Sequence, residues 1–222
     1  MVNPLPPRSF DLVIFDCDGV LVDSETLACE GLSLLLARHG IQADVGYVMD
    51  HFQGRSLASL IEHYHERGSE LPPGFRDEVR AWIGERFRAA LRPIDGIDAL
   101  LGGLALPRCV ASSSERARVD LSLRLTGLAG HFGERVYTAE QVARGKPAPD
   151  LFLYAAQRMG ADPARTLVIE DSVSGVLAAR AARMQVWGFV GGSHYRGRDG
   201  HALLAQAGAQ RVFDHMARFW HS

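Results

Sequence analysis

Four apolar residues, Leu12-Val13-Ile14-Phe15, run straight into Asp16-Cys17-Asp18-Gly19, and no other stretch limits the possible folds as tightly. Such a run reads as a strand buried on both faces, the kind found in parallel sheets covered by helices. If extended geometry continued past Phe15, Asp16 and Asp18 would point to the same side. Two carboxylates forced together at the end of a buried strand repel each other, unless a cation lies between them or one takes a proton. Ligands of open α/β sheets bind beyond the carboxyl ends of the strands, so position and chemistry agree.

Strand and helix signals alternate after about residue 93. Residues 108–111, 135–137, 166–169 and 185–190 read as strands. Residues 148–159 read as a helix, with Pro149 near its first turn and Gly160 as its stop. Residues 173–184 read as another, with Val176, Leu177 and Ala181 on one side. The alternation predicts a parallel sheet with helices on both faces.

From about Ser24 to Leu91 there are no strand-like runs. Asp23 or Ser24 can cap a helix running to Gly40, and Pro72-Pro73-Gly74 marks a turn. Val79, Trp82, Ile83 and Phe87 then fall at helical spacing within 77–91. The pattern predicts an all-helical insertion over residues 25–91, with residues 1–24 and 92–222 forming the core. The first ten residues are expected to be poorly ordered.

Each later strand delivers polar groups at its end. Ser112, Ser113 and Ser114 offer hydroxyls and backbone N–H groups at a helix start, which suits a phosphate or an ordinary helix cap. Lys146, just before Pro147 and Pro149, is pinned at a helix start, where the dipole disfavours a cation. A solvated loop lysine is the commoner alternative. Glu170 and Asp171 follow Val168-Ile169, either as helix-capping acids or, with Asp16 and Asp18, as four carboxylates at one sheet edge. Such a cluster calls for a hard cation with oxygen ligands, and Mg²⁺ accompanying a substrate phosphate fits. Gln53-Gly54-Arg55-Ser56 is either a substrate-reading loop or a helix–helix turn. The nine histidines are scattered without metal-site spacing and read mostly as surface groups, with His194 in a Gly-rich loop. Cys17 is expected to point into the core.

With 222 residues, 47% of them hydrophobic, the chain can form one full domain and a smaller one. A net charge of −2 speaks against a nucleic-acid partner. Three widely spaced cysteines read as reduced thiols. The first residues lack the apolar segment of a signal peptide, and no apolar run has the length of a membrane span. A cytoplasmic monomer acting on a small molecule, with no nucleic-acid or membrane partner, is the expectation.

The string from Asp16 to Glu25 resembles the first motif of the haloacid dehalogenase-like hydrolases, in their sugar-phosphatase and β-phosphoglucomutase branch. Ser112, Lys146-Pro147-Ala148-Pro149-Asp150 and Glu170-Asp171-Ser172 are similar to the second, third and fourth motifs, in the family's order. The resemblance spans nearly the whole chain and is weakest between roughly residues 26 and 90.

It implies an α/β fold with a Rossmann-like parallel-sheet core and a small helical cap closing over the active site. It also implies a Mg²⁺-dependent phosphomonoester hydrolase acting on a small phosphorylated metabolite, a sugar phosphate or sugar-acid phosphate, through an aspartyl-phosphate. In that scheme Asp16 is the nucleophile, Asp18 the acid and base, and Lys146 the neutralising cation. Ser112 and Ser113 would hold phosphate, and Gly54 and Arg55 would read the substrate. Asp16, Asp171 and the Asp18 backbone carbonyl would hold Mg²⁺, with Glu170 ligating directly or through water.

A β-phosphoglucomutase-like phosphotransferase is the alternative. Ala28, Gln53 and Leu57 stand where such a mutase carries histidine, lysine and arginine, which favours hydrolysis. Phosphonate cleavage would need a cap lysine, and Lys146 is the only lysine in the chain. In receiver domains the hydroxyl and the lysine come after all the acids, whereas Ser112 and Lys146 precede Glu170 and Asp171.

Overall fold

The computed structural model describes residues 10–220. Strand β1 (Leu12–Phe15) is followed by four helices, α1 (Glu25–Arg38), α2 (Val45–Phe52), α3 (Leu57–His65) and α4 (Phe75–Ala90). Helix α5 (Ile97–Gly103) then leads to β2 (Arg108–Ser112), and α6 (Arg116–Leu125) with the short α7 (Ala129–Phe132) leads to β3 (Val136–Thr138). The remaining units are α8 (Asp150–Met159) with β4 (Thr166–Glu170), α9 (Val173–Ala181) with β5 (Gln185–Phe189), and α10 (Gly200–Ala207) with β6 (Arg211–Phe213).

All the strands pair in parallel, in the order β3-β2-β1-β4-β5-β6. β1 lies inside the sheet, with Phe15 level with Val110 of β2 on one side and Ile169 of β4 on the other. The chain moves from β1 to β2 and β3 on one flank, then returns to β4 on the other. That reversal leaves a crevice beyond the carboxyl end of β1.

The period-2 alternation of β1 supplies two cores. Leu12 and Ile14 join Leu151, Phe152 and Val176 on one face, while Val13 and Phe15 join Phe132 and Phe219 on the other. All four β1 side chains are fully buried, worth roughly 1.5–3 kcal/mol each. The second core runs on into the insertion through Leu35, Phe75 and Phe87. The two chain crossings between sheet and insertion are tied together. Val22 bridges Pro93, Asp23 N–H donates to Arg92 O at 2.9 Å, and Ile94 N–H donates to Leu21 O at 3.0 Å.

The expected strands are present, although the last ends at Phe189 rather than at residue 190. The edge strand β6 was not expected. Helix α1 begins after Ser24, but Ser24 does not cap it, because its hydroxyl donates to Asp18 Oδ1 at 2.6 Å. Of the ten residues expected to be poorly ordered, 1–9 lie outside the described residues. Phe10 is buried, with its ring edge-on to Trp187. The three cysteines are free and buried, Cys17 fully so. Among the described residues, no helix is long and apolar enough to cross a membrane.

Candidate active site

Adjacent parallel strands end at the same level, which is why three separated segments meet here. β2 delivers Ser112, β1 leads into Asp16, and β4 delivers Glu170 followed by Asp171. Lys146 enters from the segment before α8. Its Nζ donates to Asp16 Oδ1 and Glu170 Oε1, each at 2.6 Å, and to Ala111 O at 3.0 Å. Burial works against the ammonium charge, but Asp16 and Glu170 outweigh it and hold Lys146 above its ordinary range.

Burial pushes the Asp16 carboxyl well above the carboxylate range, against the pull of Lys146, and the charges of Glu170 and Asp171 add to the push. Asp171 is pushed up in the same way, by burial and then by Glu170. The Asp16 Oδ2 atom makes no hydrogen bond among the described residues.

Asp16, Glu170 and Asp171 can each offer one carboxylate oxygen, all within 4.8 Å of one another. Asp171 Oδ1 is buried with no hydrogen-bond partner among the described residues, which is costly unless a cation completes it. Glu170 is already engaged. Oε1 takes Lys146, and Oε2 accepts from the backbone N–H groups of Asp171 and Ser172 and from the Ser172 hydroxyl, each at 3.0 Å. The donor set fits a hard divalent cation seated on Asp16 and Asp171, with Glu170 acting through Lys146 or a water.

Asp18 does not point with Asp16. Its Oδ1 accepts from Ser24 at 2.6 Å and Arg118 at 2.7 Å, and its Oδ2 accepts from Ser114 at 2.6 Å. The extended geometry ends at Phe15; the chain bends at Cys17 and turns at Gly19, whose φ is +76°. A Cβ on Gly19 would lie 2.0 Å from Asp171 Oδ2, so only glycine lets the two acidic segments close up. Burial raises the Asp18 carboxyl, but Arg118 and the two serine hydroxyls outweigh it and the net direction is down.

The serine run starts as the last residue of β2, Ser112, and bends through Ser113 and Ser114, while α6 begins only at Arg116. Ser112 Oγ accepts from Ser114 N–H at 3.1 Å, and Ser113 Oγ donates to Gly54 O at 2.8 Å. Gly54 and Arg55 sit in the turn between α2 and α3 and line the same chamber as Asp16, Asp18, Ser112 and Ser113. The φ of Gly54 is +72°, and a Cβ there would meet Ser172 Oγ at 2.1 Å. The helix–helix turn is thus seated directly on the sheet edge.

Several neighbours were not foreseen. Ser24, Ser114 and Arg118 hold Asp18, Gln53 Nε2 donates to Asp171 Oδ2 at 3.1 Å, and the Tyr195 hydroxyl donates to Asp171 O. Glu25 is buried in the chamber wall, raised to about 8 by burial and then by the charges of Asp171 and Asp18. His194 is not a surface group. It is 4% exposed, with Nε2 3.1 Å from Asp171 Oδ2 but not aligned for a hydrogen bond. Arg118 carries one local signal, since it is a cation in the first turn of α6, where the dipole disfavours it unless an acid is near.

A family model described as a haloacid dehalogenase-like hydrolase matches residues 10–183. A 6-phosphogluconate phosphatase of Escherichia coli (strain K12) is 30% identical over 186 residues, covering 83% of this chain and 84% of its own. A conserved haloacid dehalogenase-like protein of Agrobacterium tumefaciens superposes with a TM-score of 0.78 at 38% identity, over 95% of this chain and 96% of its own. A HAD family hydrolase from Deinococcus radiodurans R1, solved with bound phosphate and sodium, superposes with a TM-score of 0.72 at 35% identity, over 96% and 94%.

Proposed function

The chain belongs to the haloacid dehalogenase-like hydrolases, and we propose that within them it is a Mg²⁺-dependent phosphomonoesterase for a small sugar phosphate or sugar-acid phosphate, working through an aspartyl-phosphate. The observation that carries the reading is the state of Asp16. One carboxylate oxygen is clamped by Lys146 at 2.6 Å, and the other has no hydrogen-bond partner among the described residues and belongs to a residue lining the chamber.

In this scheme Asp16 Oδ2 attacks phosphorus in line, and the bond from phosphorus to the ester oxygen breaks. Asp18 gives its proton to the departing alkoxide. A water then attacks the acyl phosphate. Asp18 takes one of its protons, inorganic phosphate leaves, and Asp16 is regenerated. Lys146 holds Asp16 in position and offsets charge on the transferring group, and Ser112 stands beside it to donate to a phosphoryl oxygen. Asp16, Asp171 and the Asp18 carbonyl would hold Mg²⁺, which supplies positive charge to the phosphoryl oxygens when bound. Arg118 and the two serine hydroxyls favour anionic Asp18, so before the ester is cleaved the Arg118 contact has to loosen and Asp18 has to take up a proton from solvent, the one it then passes to the alkoxide.

The helical insertion serves as a cap that excludes bulk water and presents Gly54 and Arg55 to the substrate. The 6-phosphogluconate phosphatase relative supports a sugar-derived substrate, and the phosphate bound to the Deinococcus neighbour supports a phosphate-binding core. A phosphate-release assay over sugar phosphates and p-nitrophenyl phosphate, with Mg²⁺ and after chelation, tests the reading. Turnover should need the metal and vanish in Asp16→Asn. Turnover retained by Asp16→Asn, or undiminished by chelation, would overturn it.

A further inference from the structure

Arg118 lines the way out of the chamber that contains Asp16. A chamber of about 50 Å³ contains Asp16, Asp18 and Ser112, and a cleft of about 950 Å³ adjoins it between the insertion and the core. Arg55, Ser113, Ser114 and Arg118 line both. They therefore mark the passage from the reacting phosphoryl group to the rest of a substrate.

The Arg118 guanidinium is only partly used. One nitrogen donates to Asp18 Oδ1 at 2.7 Å, the Phe87 ring lies 5.2 Å away, and Nε is buried without a hydrogen-bond partner among the described residues. A guanidinium presents its donors as a fork that matches a carboxylate or phosphate with two parallel bonds, and a single contact leaves that capacity idle. Arg55 makes no side-chain hydrogen bond or ion pair among the described residues. The cleft beyond is electropositive. Arg76 and Arg80 are offset by Glu115, whereas Arg88 and Arg124 have no acid within ion-pair distance among the described residues. Lys146, on Asp16, already serves the reacting phosphoryl group. Arg55 is exposed at the mouth of the passage, where its guanidinium can meet a second anion on the leaving group.

We propose that Arg118, assisted by Arg55, is a specificity-determining residue that reads a second anionic group on the leaving alcohol. The preferred substrates are then phosphomonoesters that carry a carboxylate or a second phosphate besides the ester being cleaved. The assignment rests on the phosphomonoesterase reading above. Arg118 comes from α6 of the core and Arg55 from the α2–α3 turn, so the anion is gripped from both sides of the cleft.

Turnover and binding test this separately. Glucose 6-phosphate, 6-phosphogluconate and fructose 1,6-bisphosphate offer no second anion, a carboxylate and a second phosphate. At least one of the latter two should exceed glucose 6-phosphate in kcat/KM by on the order of 10-fold or more, the scale of one charge-assisted contact. Which one it is separates carboxylate from phosphate. Arg118→Met should erase the preference and Arg118→Lys should keep part of it. Because Arg118 also touches Asp18, the readout is the ratio between substrates within each variant. Calorimetric binding to Asp16→Asn protein repeats the comparison without chemistry, and adding Arg118→Met should abolish the selectivity. Equal kcat/KM and equal affinities, or a preference that survives Arg118→Met, would overturn the assignment. A protein that turns over no phosphomonoester, p-nitrophenyl phosphate included, would overturn the hydrolase reading instead, and the binding comparison would still decide the role of Arg118.

Discussion

Gln53 Nε2 lies 3.1 Å from Asp171 Oδ2, a hydrogen bond between residues 118 positions apart in the chain. The same nitrogen lies 3.3 Å from the Asp171 carbonyl oxygen. A residue of the insertion thus orients an acid that would hold the metal. Gln53→Ala should raise the Mg²⁺ concentration for half-maximal activity on the order of 10-fold, as losing an outer-shell partner does. A metal titration of phosphate release checks this.

Lys146 carries the counter-charge for two buried carboxylates. Lys146→Met should abolish turnover and also destabilise the metal-free protein by on the order of 3–5 kcal/mol, because Asp16 and Glu170 lose their shared partner. Urea unfolding of both proteins in a chelator measures the loss.

Glu25 makes stability depend on pH. Folding raises its carboxyl from an ordinary 4.5 to about 8, first by burial and then by the charges of Asp171 and Asp18. Between those values the folded protein holds a proton that the unfolded chain has released. Its contribution is therefore fully present below about 4.5 and is lost as pH rises towards 8. Glu25→Gln should remove that decline, worth on the order of a few kcal/mol. Denaturation midpoints from pH 5 to 8, with metal chelated, should slope downward in the wild type and less steeply in the variant, where the raised carboxyls of Asp16 and Asp171 keep the remaining slope.

Asp18→Asn should slow sugar phosphates far more than p-nitrophenyl phosphate. A sugar alkoxide needs a proton to leave, whereas nitrophenolate leaves without one. Single-turnover rates of Asp16 phosphorylation, compared for the two substrate types, provide the check.

The sheet was legible because its central strands are buried on both faces and so are written as continuous apolar runs. Arg211-Val212-Phe213 was not, since a three-residue edge strand carries no such run. Asp16, Asp18, Glu170 and Asp171 could be placed at one sheet edge from sequence because strand ends align in a parallel sheet, whereas Lys146, which follows no strand directly, was marked only by its motif. Local rules failed where a distant partner competed for the same atom. Ser24 looks like a helix cap, yet Asp18 takes its hydroxyl. His194 looks like a loop histidine, yet the short turn at Ser193–Tyr195 folds it against Asp171. Arg118 lies 100 positions from Asp18, and nothing in the spacing of the chain announces that they meet.

The paired crossings at Val22 and Pro93 have a consequence for how such a molecule diversifies. Chain leaves and rejoins the sheet through one narrow doorway, so whatever hangs beyond it leaves the strand register untouched. The helices past that doorway can lengthen, shrink or be exchanged while the acids behind it keep their places. What is recognised and how it is cleaved can then change on separate schedules, coupled where Gln53 and Gly54 rest on Asp171 and Ser172 and where Arg76 and Arg80 meet Glu115.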